Sequence, residues 1–135
     1  MSKPILLTAA ALAAFAMAAA VRAEPLSGSQ IQARAAGGEF RGDTYSLRGF
    51  ESHIWRLARD GQARAVAIVR RAPGNFFHSH TEFSDAGTWR VQGNSLCVEW
   101  AGPNRQFSGC YTVDLRQGDH VRIVGPATWE GTLSR

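Results

Sequence analysis

In SLCVEW, residues 95–100, the apolar Leu96, Val98 and Trp100 alternate with Cys97 and Glu99; in CYTVDL, residues 110–115, Tyr111, Val113 and Leu115 alternate with Cys110, Thr112 and Asp114. A period of two is the period of a strand, so each cysteine lies on the polar face of its own strand. If the intervening AGPNRQFSG turns the chain, the register that sets Cys97 opposite Cys110 also sets Leu96 opposite Tyr111 and Trp100 opposite Phe107. One register satisfies both faces, which predicts an antiparallel hairpin stapled by a Cys97–Cys110 disulfide. Closing so short a loop contributes about 3 kcal/mol. There is no Cys-x-x-Cys and no neighbouring His, so the pair reads as a structural staple and not as a redox or metal site.

The rest of the chain from residue 24 onward repeats this grammar. EFRGDTYSL, SHIWRLARDGQ, ARAVAIVRRA, FFHSHTEF, GTWRV, VRIVG and TWEGTL are short runs separated by turn chemistry at Asp60-Gly61, Gln92-Gly93-Asn94 and Gln117-Gly118-Asp119. Asp-Gly between apolar runs is a strong hairpin signal. ARAVAIVRRA is apolar on both faces from Ala65 to Val69, the pattern of a covered central strand. One short helix precedes the strands, with Ser27 or Ser29 to cap it, Ile31 and Ala35 on its apolar side, and Gly37-Gly38 to end it. The expectation is an all-β fold: an antiparallel meander of about eight short strands forming a small closed or partly open barrel, preceded by a short N-terminal helix.

The first 23 residues read as an export signal. Lys3 is positive, Ile5 to Val21 is apolar apart from Thr8, and Val21-Arg22-Ala23 presents small residues at the two positions a signal peptidase inspects. Cleavage after Ala23 is expected, giving a signal peptide at 1–23 and a single domain at 24–135, periplasmic or secreted. No stable membrane insertion is expected after cleavage. The whole chain carries a net charge of +4, but Lys3 and Arg22 belong to the signal, and 13 basic residues against 11 acidic remain. The basic residues are scattered, so nucleic acid is not an expected partner. About 112 residues suit one modest core.

FFHSHTEF, Phe76 to Phe83, holds the candidate metal ligands. His78, His80 and Glu82 recur at every second position and share a strand face, where imidazoles and a carboxylate suit Zn or Cu. His120 or His53 on another strand is a candidate fourth ligand. The competing reading packs Phe77 and Phe83 inward and leaves the His and Glu in solvent. The direction of that strand face decides between the two. No other cofactor is indicated, and the spacing of His80 and Glu82 does not fit the cupin pattern of His-x-His with a more distant Glu.

Around Gly87-Thr88-Trp89 the sequence resembles small bacterial periplasmic lipocalin-like domains of unknown function. A signal peptide and short helix are followed by GTWRVQGNSLCVEW, CYTV, VRIVGP and WEGTL, where a Gly-x-Trp strand runs into a Cys strand and a second Cys follows across a hairpin. The resemblance spans roughly Gly87 to Leu133. Lipocalins proper carry their Gly-x-Trp near the start of the first strand, whereas here it lies in mid-chain. The resemblance implies a barrel in an exported compartment.

No catalytic pattern stands out. There is no Gly-x-Ser-x-Gly elbow, no phosphate-binding glycine loop, and the acids are spread over turns and polar faces. The expected function is therefore a non-enzymatic exported barrel that binds a small apolar ligand or an envelope or protein partner. Trp55, Trp89, Trp100, Tyr111 and Trp129 are the candidate lining of a ligand pocket, although each also sits in an apolar alternation of the kind that builds a core. Two alternatives stand beside this reading. One is a Zn- or Cu-binding protein using the His-x-His-x-Glu strand. The other is an inhibitor of an envelope-directed enzyme such as a lysozyme, presenting Gly102-Pro103-Asn104-Arg105.

Overall fold

A computed structural model describes Ser2, residues 24–70 and residues 80–135. Apart from Ser2, the expected signal segment lies outside the described residues, as do Phe76, Phe77, His78 and Ser79. Strand β1, Glu24–Pro25, leads into helix α1, Gly28–Ala35. Eight strands follow: β2 Gly38–Ser46, β3 Gly49–Leu57, β4 Gln62–Arg70, β5 His80–Gln92, β6 Ser95–Trp100, β7 Gly109–Leu115, β8 His120–Val124 and β9 Thr128–Ser134. Each of the eight pairs antiparallel with its neighbours in the chain, and β9 pairs back onto β2, so they close into an up-and-down barrel. Closure leaves no long unpaired edge. The two-residue β1 lies against β7, pairing Glu24 with Leu115 and Pro25 with Asp114.

The helix forms where the sequence marks it. Ser27 caps it in a reciprocal capping box with Gln30, and Gly37 takes φ +73° just after it, where the left-handed backbone suits glycine. Ile31 and Ala35 are fully buried, sealing one end of the barrel. Among the described residues no helix is long and apolar enough to cross a membrane. The opposite end carries the β2–β3 hairpin at Leu47–Arg48, the β6–β7 loop and the β8–β9 turn, and is called the loop end below.

The stapled hairpin forms as its alternation predicts: Cys97 lies opposite Cys110, Leu96 opposite Tyr111, and the disulfide joins the two cysteines. The ladder ends at Val98–Gly109, however, so Trp100 does not pair with Phe107. A 3-10 turn at Arg105–Phe107 intervenes, and the Ser108 hydroxyl accepts the Trp100 backbone N–H instead. Both aromatics are buried all the same.

Two other elements differ from the sequence pattern. FFHSHTEF and GTWRV read as separate runs, yet His80 to Gln92 is one strand of 13 residues. Its apparent break, Ser84-Asp85-Ala86-Gly87, stays extended because Asp85 accepts backbone N–H bonds from Gly102 and Asn104, and because Gly87 lies tight against β6. A Cβ at Gly87 would sit 1.9 Å from the Glu99 carbonyl oxygen. The other is β4: Ala63, Ala65, Ala67 and Val69 face inward and are buried, while Val66 and Ile68 on the outer face are only half-buried, with no second layer over them among the described residues.

Candidate functional site

The aromatic residues that sequence nominates as a ligand pocket are packed on one another inside the barrel. Trp55, Tyr111 and Trp129 are fully buried, and Trp100 and Trp89 nearly so. The Trp55 ring centre lies 4.9 Å from Phe40, 5.3 Å from Trp129, 5.6 Å from Trp100 and 5.8 Å from Tyr111. Large rings on β2, β3, β7 and β9 meet the alanines of β4, the alternation of large and small that fills a narrow barrel. Tyr111 donates to the Phe107 carbonyl at 2.8 Å, and burial pushes its phenol up to about 12. Trp89 donates to the Ala58 carbonyl at 2.6 Å, fastening the β3–β4 turn near the helix end.

Above this aromatic layer, toward the loop end, the interior turns polar. On the inward face of β3, Glu51 and His53 continue the period-two series of Trp55 and Leu57, and both are buried. His53 Nε2 lies 2.9 Å from Glu51 Oε1, and the Trp55 indole N–H donates to His53 Nδ1 at 3.1 Å. The indole bond requires an unprotonated Nδ1, so the imidazole is neutral with its proton on Nε2, donated to Glu51. Burial agrees, holding His53 below its ordinary pKa against the opposing pull of Glu51.

Arg48 supplies the countercharge. Its Nη2 donates to Glu51 Oε1 at 2.6 Å and to Asn104 Oδ1 at 3.1 Å, and its Nη1 donates to the Pro103 carbonyl at 2.9 Å. The guanidinium also stacks over Phe83 and Phe107, at 4.8 and 5.6 Å from the ring centres. Burial alone would raise the Glu51 carboxyl; hydrogen bonds from His53, Arg48 and Ser46 outweigh it and bring the group down to about 2. The arrangement is a closed relay, Trp55 to His53 to Glu51 to Arg48, with every titratable member engaged by its neighbours.

The relay positions an exposed apolar tip. With Arg48 turned inward, Leu47 at the hairpin apex is fully exposed, Tyr45 beside it is 81% exposed, and Phe50 stacks on Tyr45 at 5.0 Å. The bonds from Arg48 to Pro103 and Asn104 tie this hairpin to the β6–β7 loop, and Asp85 fixes that loop from beneath. Of the nominated loop residues, Pro103 and Arg105 are exposed, Gly102 is half-buried and Asn104 is fully buried.

The candidate metal strand splits. Phe83 pairs with Ala67 on the inward face, so His80, opposite Arg70, and Glu82, opposite Ile68, stand on the outer face and are exposed. His78 lies outside the described residues. His53 is inside the barrel and cannot join that outer face. His120 begins β8, three strands around the barrel from β5. Among the described residues no three His, Cys, Asp or Glu side chains converge as a metal site would need.

Sequence reading passes over Glu51 and Arg48, and takes His53 only as a candidate fourth metal ligand, not as a buried partner of Glu51. Their signal is phase: Glu51 and His53 fall on the same alternate positions as Trp55 and Leu57, which places them inside before any contact is known. Comparison with known proteins finds no matching family model, curated protein or solved structure.

Proposed function

We propose that the chain is an exported, non-enzymatic barrel, akin to the periplasmic lipocalin-like domains it resembles, that engages an envelope protein through its loop end. The observation that carries this reading is the tip at Tyr45 and Leu47: a solvent-facing apolar apex on a hairpin that Arg48 anchors into the barrel. A preorganised apolar anchor loses little conformational freedom on docking, which favours recognition by such a loop. The aromatic packing inside argues for surface binding over carriage of a small apolar ligand. The non-enzymatic reading is supported by Glu51 and His53, which are buried and spend their hydrogen bonds on each other, Arg48 and Trp55. The Cys97–Cys110 disulfide is in keeping with an oxidising compartment.

The test is site-specific photo-cross-linking in the exporting cell, with the reactive residue at Leu47 or, as a control, at exposed Arg90 on β5. A discrete protein adduct from position 47, absent from position 90 and lost with Tyr45→Asp, is expected. No adduct at 47, or the same adducts from both positions, would reject the loop-end reading. A lysozyme is one partner of this kind, and an unchanged lysozyme rate with added protein would remove it from consideration.

A further inference from the structure

Strand β4 is apolar on both faces, and none of the described residues lies over its outer face. The register builds that surface row by row across β2, β3, β4 and β5. Glu39, Arg56, Arg64 and Ala86 form the row nearest the helix end; Arg41, Ile54, Val66 and Ser84 form the next; Asp43, Ser52, Ile68 and Glu82 form the third. Three adjoining depressions of about 370, 230 and 320 Å³ run along these rows. The first two share Arg56 and Arg64, and the last two share Ile54 and Val66, so they make one groove.

The groove is polarised. At the helix end Arg56 and Arg64 stand side by side, with Arg135 on the same wall. Glu39 faces them and is shared between Arg41 Nε at 2.5 Å and Arg56 Nε at 3.3 Å, while Asp85, which lines the middle depression with them, is engaged by the Gly102 and Asn104 amides. Arg64 has no hydrogen-bond or ion-pair partner among the described residues. The floor beyond is Ile54, Val66 and Ile68, half-buried between the rims. The far end carries acids: Asp43, which accepts from Ser52 at 2.7 Å, and Glu130, 3.4 Å from Arg122.

We propose that this groove binds a single-chain anionic amphiphile, its head group on Arg56 and Arg64 and its acyl chain along Ile54, Val66 and Ile68. Charge complementarity selects the head: guanidinium groups pair bidentately with carboxylate or phosphate, and the acids at the far end repel an anion from the other orientation. The apolar floor selects the tail, because an acyl chain laid there covers surface that the fold leaves to water. From Arg56 to Ser52 the strand rises about 13 Å, a span suited to a medium-length chain. This site is separate from the loop-end tip, and either can fail without the other.

The probe is dodecanoate below its micelle concentration, titrated into the chain from residue 24 onward and followed by amide and methyl NMR. Saturable shifts at Arg56, Arg64, Ile54 and Val66 are expected, with at least tenfold weaker binding in Arg56→Ala/Arg64→Ala and in Val66→Asp. Butyrate, which lacks the tail, and dodecyltrimethylammonium, which reverses the charge, are expected to bind at least tenfold more weakly. No saturable shift, equal binding of the cationic amphiphile, or shifts confined to the indoles inside the barrel would overturn the proposal. If a variant fails to fold, the wild-type shift map and the two comparison ligands decide alone.

Discussion

At Arg48 a charged side chain turns back into the barrel instead of out into water, because the buried Glu51 carboxylate sits beneath it and takes its guanidinium as countercharge. Buried pairs of this kind add little net stability over an apolar packing, yet breaking one by removing a partner is costly. Arg48→Ala should therefore cost about 3 kcal/mol in denaturant unfolding, and Arg48→Ala/Glu51→Leu should recover part of that loss. A double variant no more stable than the single would contradict the pairing. Acid should act on the same residues. Glu51 titrates near 2 when folded and near 4.5 otherwise, so its contribution is complete above about pH 4.5 and is lost as pH falls toward 2. That shift corresponds to about 3 kcal/mol. His53 is held below 6.5 by burial, so unfolded chains take up that proton first and stability also declines below about pH 6.5. Urea midpoints at pH 7.5, 5.5 and 3.5 should fall in sequence, and Glu51→Gln should flatten the last step. These residues were legible in sequence only as phase. Alternation puts Glu51 and His53 on the inward face, but nothing local says that Arg48, in a turn, reaches back to meet them, since that contact depends on barrel closure.

At the scale of elements, the stapled hairpin was legible almost entirely. Both faces of SLCVEW and CYTVDL point to one register, and the structure has it. Replacing both cysteines by alanine should lower stability by about 3 kcal/mol without changing the strand content measured by circular dichroism. β5 was legible only in parts, because Ser84-Asp85-Ala86-Gly87 has the composition of a turn. Its extended course is set from outside, by the loop amides that Asp85 accepts and by the close approach of β6 at Gly87. Gly87→Ala should accordingly cost at least 1 to 3 kcal/mol, the usual penalty of overpacking, in the same unfolding assay. A neutral result would mean that β5 and β6 separate there freely. For β4 the two-sided apolar pattern is read correctly, but the covering layer it usually signals is not part of the described barrel. The uncovered strand is what leaves a groove along the outer face.

For the molecule as a whole, barrel closure follows from the regular spacing of short strands, and what fills the barrel follows from which residues are large. Phe40, Trp55, Trp100, Tyr111 and Trp129 meet at the centre while β4 contributes alanines, so the interior of the described barrel is packed as a core. Pocket and core look alike in sequence, because both ask for aromatics at alternate positions; only the contacts between strands distant in the chain separate them. The direction of the His80–Glu82 face was undecidable for the same reason, and the pairing of Phe83 with Ala67 fixes it. The central claim is that the interior belongs to the protein's own side chains. Its most direct test is titration of the chain from residue 24 onward with an uncharged apolar probe, 1-aminoanthracene, while the indole N–H resonances of Trp55, Trp89, Trp100 and Trp129 are recorded. The four resonances should hold their positions, with no saturable one-to-one complex; a saturable shift of the Trp100 and Trp129 indoles would show a ligand inside the barrel and contradict the account.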